Sequence, residues 1–363
     1  MQLIVLDKDF NTLGAVSIFT TLLWSRRYTS LGAFELYTIK DYFELLSSGK
    51  YLYRQDAEEL GVIDEVNYSQ DDKGKREVYA KGNFAEVLLA QRVIAKRTVL
   101  SDTLENAMRS LVSANAISPP LADRKIANLA LGSPADVSSA LSMQITGENL
   151  SDALYKIGNA YGISHRLRFN YQTNQLAFEV WQGKDRRDSQ NVNSWAIFSN
   201  DFYNIRNVTY NRCDSDYKNY AYVAGEGEGT ARVVVEVDIR SGKEERRELY
   251  VDARDLRSED ESGKKIADAK YREMLINRGK NKLAEYAKAQ SVTSGIDPHA
   301  NLVYKKDFDL GDYCTYINSE IGIASEQRIT EILETYEGGK LEIQVTFGNE
   351  GTTSIKQLLK RGS

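Results

Sequence analysis

The apolar positions of this chain alternate between a period of two and a period near that of a helix, and the switches divide the sequence into blocks. Up to about Arg97 the apolar runs are short and broken by turn residues. Residues 3–6, a turn through Lys8, Asp9 and Asn11, and residues 13–18 read as strand, turn and strand. Residues 34–39 form another run of strand length. Residues 61–68 and 77–81 flank Asp71-Asp72-Lys73-Gly74, where Asp and Gly suit the tight backbone of a hairpin. Gly82-Asn83-Phe84 then leads into the apolar segment 87–90. Several short strands at this spacing predict a small barrel or sandwich.

After Arg97 the period becomes helical. Leu104, Ala107, Met108, Leu111 and Val112 share one face of an amphipathic helix, with Ser101 or Asp102 as its cap. The helix ends before Ile117-Ser118-Pro119-Pro120, because proline restricts the residue ahead of it. A second helix is predicted over 150–161, with Leu154 and Ile157 inward and Gly162 closing it. Then His165, Leu167 and Phe169 alternate with Arg166 and Arg168. Leu176, Phe178 and Val180 alternate after a turn over 171–175. This helix-plus-hairpin stretch reads as a separate α+β unit.

From about Trp195 strands return, at 207–210, 220–224, 231–239 and 248–252. A long helix is predicted over 263–290, with Ile266, Ala269, Ile276, Leu283 and Ala287 near one face. Residues 328–336 and 341–347 flank Gly338-Gly339, and Leu341, Ile343, Val345 and Phe347 alternate, so a hairpin is expected there. The fold class read from this order is α+β and β-rich. It divides into an N-terminal β-barrel-like domain (1–97), an α+β middle domain (98–195), a C-terminal β-barrel-like domain (196–348) with a helical insertion at 263–290, and a polar, loosely held terminus (349–363).

Composition narrows the function classes. The chain has 363 residues, 42% hydrophobic and 27% charged, which is ordinary for a globular protein of two or three units. Tyrosine is abundant, at 22 against 4 prolines, and fits half-buried sheet surfaces and protein interfaces. The net charge of −5 argues against gripping a phosphate backbone. The basic run Lys243 to Arg247 is interrupted by glutamates and reads as a solvated face or hairpin tip. The start, MQLIVLDKDF, is not patterned as a signal peptide, and no apolar run reaches the ~20 residues that span a bilayer. Synthesis and assembly in a cytoplasm are therefore expected. Cys213 and Cys314 make neither a disulfide framework nor a zinc knuckle, and their spacing leaves pairing open.

Candidate chemistry is sparse. Of the two histidines, His165 lies on an alternating strand face and reads as structural. His299 follows Asp297-Pro298 in a turn, and a metal there lacks a third ligand nearby in sequence. Gly225, Glu226, Gly227, Glu228 and Gly229 look like a dinucleotide loop, but the carboxylates would repel a pyrophosphate and no helix start follows. The loop is expected instead to be a flexible element at a subunit or partner contact. Glu320, Glu326 and Glu331 are carboxylates that a cryptic hydrolase site would need to bring together. Trp24, Trp181 and Trp195 are few and scattered for a glycan-binding platform. No residue is expected to be catalytic, to bind a cofactor or to hold a metal.

Three stretches together resemble the hub, or baseplate-hub, proteins of siphophage and prophage tails in Gram-positive hosts. The first has Gly32-Ala33-Phe34-Glu35-Leu36, then Gly61-Val62-Ile63-Asp64-Glu65-Val66 and Lys81-Gly82. The second, residues 222–256, holds the glycine loop and the run Arg246 to Leu256 (RRELYVDARDL). The third is Asp309-Leu310-Gly311-Asp312-Tyr313, followed by Arg328-Ile329-Thr330-Glu331 and Thr346-Phe347-Gly348. The resemblance implies a virion structural protein, with two related β-barrel domains joined by α+β domains. It further implies a homotrimeric ring at the distal end of the tail tube, docked to a distal tail or tube protein on one side and a fibre, tip or lysin module on the other. It implies no enzyme activity, cofactor, specific nucleic-acid binding or membrane insertion. A cell-wall hydrolase of the tail, or a host-wall carbohydrate-binding adhesin, is the alternative. The mild negative charge suits a channel that DNA must pass without sticking.

Overall fold

Phe19–Arg27 carries apolar residues on both faces and has strands on both its edges, which places it at the middle of the largest sheet. The computed structural model describes residues 1–260, 263–297 and 300–349. Within it, a continuous antiparallel path runs through Glu65–Gln70, Arg76–Asn83, Ala33–Thr38, Phe19–Arg27, Ile323–Glu337, Lys340–Asn349, Ala289–Ile296 and Ile205–Cys213. Two further strands, Tyr313–Asn318 and Ile197–Ser199, branch from Ile323–Glu337 and complete a ten-stranded sheet. The N-terminal and C-terminal blocks are thus one sheet, joined where Arg27 faces Glu331 and Thr21 faces Glu337.

The two domains expected to be barrel-like do not close into barrels among the described residues. Closure needs the first and last strands of each block to pair with each other. Instead Phe19–Arg27 spends its second edge on Ile323–Glu337, and the path ends openly at Glu65–Gln70 and Ile205–Cys213. A four-stranded sheet of Thr12–Val16, Leu3–Leu6, Tyr51–Arg54 and Leu60–Val62 packs over the N-terminal part, and Leu3, Val5, Leu22, Trp24, Phe34 and Leu36 are buried between them. At Gly82 the strand Arg76–Asn83 comes so close to Leu60–Val62 that a Cβ would lie 1.7 Å from the Val62 carbonyl oxygen. Only glycine fits there.

The opposite face of the four-stranded sheet shares a core with residues 100–180: Ile4, Leu6 and Phe10 pack with Leu104, Met108, Leu111, Leu154, Ile157 and Phe178. The helix Leu104–Val112 buries the predicted face, but its cap is Thr103, whose hydroxyl accepts from Asn106 N at 3.3 Å. Asp102, one of the expected caps, accepts from Thr103 N at 2.6 Å instead. The helix Leu150–Tyr161 has its predicted bounds. Asn149 caps it, and Gly162 ends it in the left-handed region at φ 68°. The hairpin Ser164–Asn170/Gln175–Trp181 follows, with Leu129–Leu131 added in parallel.

The long helix is shorter than its sequence pattern implied. It spans Asp268–Glu285, because Lys265 is held in a bridge with Glu259 and Ala289–Ile296 is claimed by pairing with Ile205–Cys213. The predicted face is met in part: Leu283 is buried and Ile266 and Ile276 pack against the core. Ala269 and Ala287 are exposed, while Tyr271, Met274, Leu275, Asn277, Gly279, Asn281 and Leu283 are buried. The helix is sandwiched: one side covers the three-stranded sheet Val234–Asp238, Tyr220–Ala224, Glu248–Asp252, and the other meets Ala140–Ile145. Burial on two sides erases a single apolar stripe, and Asn277 Nδ2 donates to the Ser142 carbonyl at 2.6 Å within that contact. The last hairpin, Ile323–Glu337/Lys340–Asn349, turns through Gly338 and Gly339 at φ 56° and 75°, as its sequence predicts.

Candidate functional site

The seam between Phe19–Arg27 and Ile323–Glu337 is where charge is concentrated in the interior. Arg54, at the end of Tyr51–Arg54, is fully buried and lies 2.7 Å from Glu334, itself buried on the C-terminal strand. The guanidinium N–H directions do not align with the oxygens, so this is an ion pair rather than a directed hydrogen bond. Arg54 also stands over the rings of Trp24 and Tyr336, at 4.9 and 5.4 Å. Both Glu334 oxygens accept from phenols, Tyr304 at 2.8 Å and Tyr336 at 2.9 Å.

Tyr304 links this pair to a second one. Its hydroxyl accepts from Arg26 Nη1 at 2.9 Å, and Arg26 reaches Glu59 at 2.5 Å and Asp309 at 2.6 Å. Burial opposes the charges, but each carboxylate beside a guanidinium outweighs it. Arg26 holds Glu59 at about 2, and Arg54 holds Glu334 below the usual carboxylate range. Arg26 thus joins Glu59, Asp309 and Tyr304, and Tyr304 passes the link to Glu334 and Arg54, drawing on residues 26–59 and 304–334. Next to it, Asp312 accepts from Arg186 Nε at 2.7 Å, from Lys184 N at 2.8 Å and from Asp309 N at 3.0 Å. This fastens the segment after Trp181 to the same seam.

Two other ionisable groups border a cavity of about 30 Å³ beside Arg26 and Trp181. Glu86 accepts from Leu167 N at 2.8 Å through one oxygen, its other oxygen has no partner, and burial pushes its carboxyl up to about 7. His165 is buried. It packs between Tyr155 at 4.4 Å and Phe178 at 5.8 Å with both ring nitrogens unpartnered, and burial lowers it to about 3. It is a neutral core residue. His299 lies outside the described residues.

The other candidates do not converge. Glu326 is held by Arg187 at 2.7 Å and Ser189 at 2.6 Å, Glu331 by Arg27 at 3.1 Å and Ser25 at 2.5 Å, and Glu320 stands exposed at a hairpin turn. No cluster of three or more metal-binding side chains occurs among the described residues. Trp24 is buried, Trp181 is half-buried against Tyr28, and Trp195 is exposed, so the indoles form no common platform. Cys213 and Cys314 are both free thiols. In the glycine loop, Gly225 is buried against Tyr271. Glu226 is pinned by Ser258 N at 3.0 Å and Ser258 Oγ at 2.6 Å, and Gly227, Glu228 and Gly229 are exposed.

Sequence reasoning missed Arg26, Arg54 and Glu334. The available signal was a charge at the apolar end of a strand, as in Tyr51-Leu52-Tyr53-Arg54, where alternation would place a core residue. The seam also gathers the first and third stretches quoted above. Phe34 faces Gly82 and Glu35 faces Lys81; Ile329 faces Phe347, and Gly311 N donates to the Ile329 carbonyl at 2.9 Å. The second stretch lies apart, in the three-stranded sheet over the Asp268–Glu285 helix.

The whole arrangement is shared with known tail proteins. A tail protein from Neisseria meningitidis MC58 superposes with a TM-score of 0.58 at 14% identity, covering 96% of both chains. The prophage tail protein gp18 from Listeria monocytogenes EGD-e gives 0.57 at 11% identity over 100% of this chain and 98% of its own. The 43 kDa tail protein of prophage MuSo2 from Shewanella oneidensis gives 0.54 at 11%, covering 96% and 98%. At such identities the likeness is one of fold. No curated protein sequence matches. The family profile of the Siphovirus ReqiPepy6 Gp37-like proteins spans residues 2–349, and the chain belongs to that siphovirus tail protein family.

Proposed function

We propose that this tail protein is a distal hub or baseplate ring component that works by self-association and docking, and that it carries out no reaction. The observation that carries the reading is the seam. One sheet runs through both terminal blocks, locked by the buried Arg54–Glu334 and Arg26–Glu59 pairs, and among the described residues each of its two outermost strands keeps one edge unpaired. Such a body transmits force without internal sliding and offers its edges to neighbours. In this reading the chain keeps the four-part division at 97, 195 and 348, with two barrel-like halves that the shared sheet welds together. Three copies form a ring, with a distal tail or tube protein above and a fibre, tip or lysin module below. The exposed residues Gly227, Glu228 and Gly229, hinged on anchored Gly225 and Glu226, make a contact element for one of these neighbours.

Light scattering behind a sizing column, at high and low concentration, tests the reading. A mass of three times 40.9 kDa, with a central hole in electron micrographs, supports it. A monomer at every concentration overturns the ring. A lumen lined by basic side chains overturns the idea that the negative net charge lets DNA pass.

A further inference from the structure

We infer that an exposed aromatic tip of one copy enters a groove beside Arg328 of the next copy, so that copies associate head to tail. The inference rests on the ring reading above and names the surfaces that would build it.

The tip is made by two touching loops. Phe202 is 53% exposed, Tyr203 84% and Ile321 52%. Asn200 Oδ1 accepts from Ser319 N at 3.2 Å and Asp201 Oδ1 accepts from Ser319 Oγ at 2.7 Å, which ties the loops together. Tyr203 sits at φ 54°, a left-handed backbone that a bulky residue rarely holds. It closes a turn in which its N–H donates to the Asn200 carbonyl at 3.1 Å, and this turn holds the ring out in water. Asp201 and Glu320 give the tip an exposed acidic flank.

The groove has complementary features. It is an open cleft of about 720 Å³ lined by Tyr28, Ile163, Ala284, Ala287, Tyr313 and Arg328, within the range of roughly 300–1,000 Å³ that buries a drug-sized ligand. The Arg328 guanidinium stacks on Tyr28 at 5.0 Å and Tyr313 at 5.5 Å and donates to the Gly311 carbonyl. The groove's other charges are already matched, Glu285 by Lys282, Glu326 by Arg187 and Lys288 by Glu244. Among the described residues Arg328 has no carboxylate in an ion pair. Polar side chains such as Asn159 and Gln327 line the cleft as well, and a stacked, pre-oriented arginine in such a mixed groove is the type of group that anchors an interface.

The two surfaces cannot meet within one chain. Tyr313 faces Arg328 at one end of the hairpin Tyr313–Asn318/Ile323–Glu337, and Asn318 faces Ile323 beside Ile321 at the other. Five residue steps at ~3.4 Å separate them by about 17 Å. A tip at one end and its receptor at the other form a heterologous contact, which closes into a ring when the rotation permits.

The test uses the full chain with Cys213→Ser as background. One preparation carries Tyr203→Cys and another Ala287→Cys, and the two are oxidised separately and mixed. Cross-linked dimers only in the mixture, together with a dissociation constant raised more than ~tenfold by Phe202→Ser/Tyr203→Ser, are the expected results. Both substituted tip residues are exposed, so the fold is kept. If the native chain associates but the tip variant associates equally and the mixture stays uncross-linked, the ring reading stands and this proposal falls. A tip variant that weakens association without a 203–287 cross-link puts the tip in a different pocket and also overturns it. A monomer with no cross-link at any concentration overturns both.

Discussion

Replacing Glu334 by glutamine tests whether the seam is held by charge. The substitution keeps the side chain's volume and leaves the Arg54 guanidinium fully buried, with Asp56 at 3.0 Å as its remaining partner. Asp56 is solvent-exposed, so its attraction is screened. Breaking a buried pair from one side costs ~3–5 kcal/mol, because the orphaned charge stays desolvated. Asp56 and the glutamine carbonyl, still able to accept from one of the two phenols, put the expected loss near the lower end, about 3 kcal/mol. Removing both charges as Arg54→Met/Glu334→Leu is expected to cost less than the two single changes together, since neither ion is then stranded. The pH dependence gives a second reading. Arg54 holds the Glu334 carboxyl below its unfolded value, so its contribution is full above ~4.3 and is lost as pH falls further. Urea unfolding at pH 7 and pH 3, with amide exchange read on Ile323–Glu337, measures both. A cost under ~1 kcal/mol at pH 7, or a gap that does not narrow at pH 3, would show that packing alone holds the seam.

Further tests follow from single positions. Gly82→Ala drives a methyl into the Val62 carbonyl at 1.7 Å and is expected to cost more than ~3 kcal/mol, read as a fall in thermal midpoint; an unchanged midpoint refutes the close approach. Cys213, lowered by its Ser215 hydrogen bond, is expected to react with maleimide in the native protein. Cys314, raised by burial, should react only in denaturant, and two fast thiols per chain would contradict the core assignment. Burial holds Glu86 at about 7, so its folded form favours the proton and stability falls as pH climbs from ~4.3 through 7. Glu86→Gln should therefore be more stable than the native chain at pH 8, and an equal or lower midpoint there would argue against it. His165 acts in the opposite sense: held at about 3 by burial, it withdraws stability as pH drops below ~6.5, and His165→Leu should flatten the acid limb of a pH–stability profile.

Local pattern located many elements. The Leu150–Tyr161 helix, its left-handed Gly162 stop and the Gly338-Gly339 hairpin follow from residues close together in sequence, where period and turn chemistry decide. The same reading passed over Phe19–Arg27, because a central strand buried on both faces loses the alternation that betrays a strand. It also overextended the Asp268–Glu285 helix, whose sandwiching between two sheets and whose end at an antiparallel strand are tertiary facts. The candidate site was illegible for a related reason. Arg54 and Glu334 are ordinary charged residues in sequence, and only their distant pairing makes them unusual.

That pairing has a consequence for the protein's synthesis. Arg27 and its partner Glu331 lie 304 residues apart, so at translation rates of ~5–20 residues per second the N-terminal strand waits tens of seconds for its neighbour. During that wait Phe19–Arg27 has a free edge, and Arg54 lacks Glu334, its buried counter-charge. A chain interrupted before Ile323 leaves that edge open and Arg54 with only the exposed Asp56 as its partner. The stitch therefore keeps the central sheet unfinished until Ile323–Glu337 has been translated.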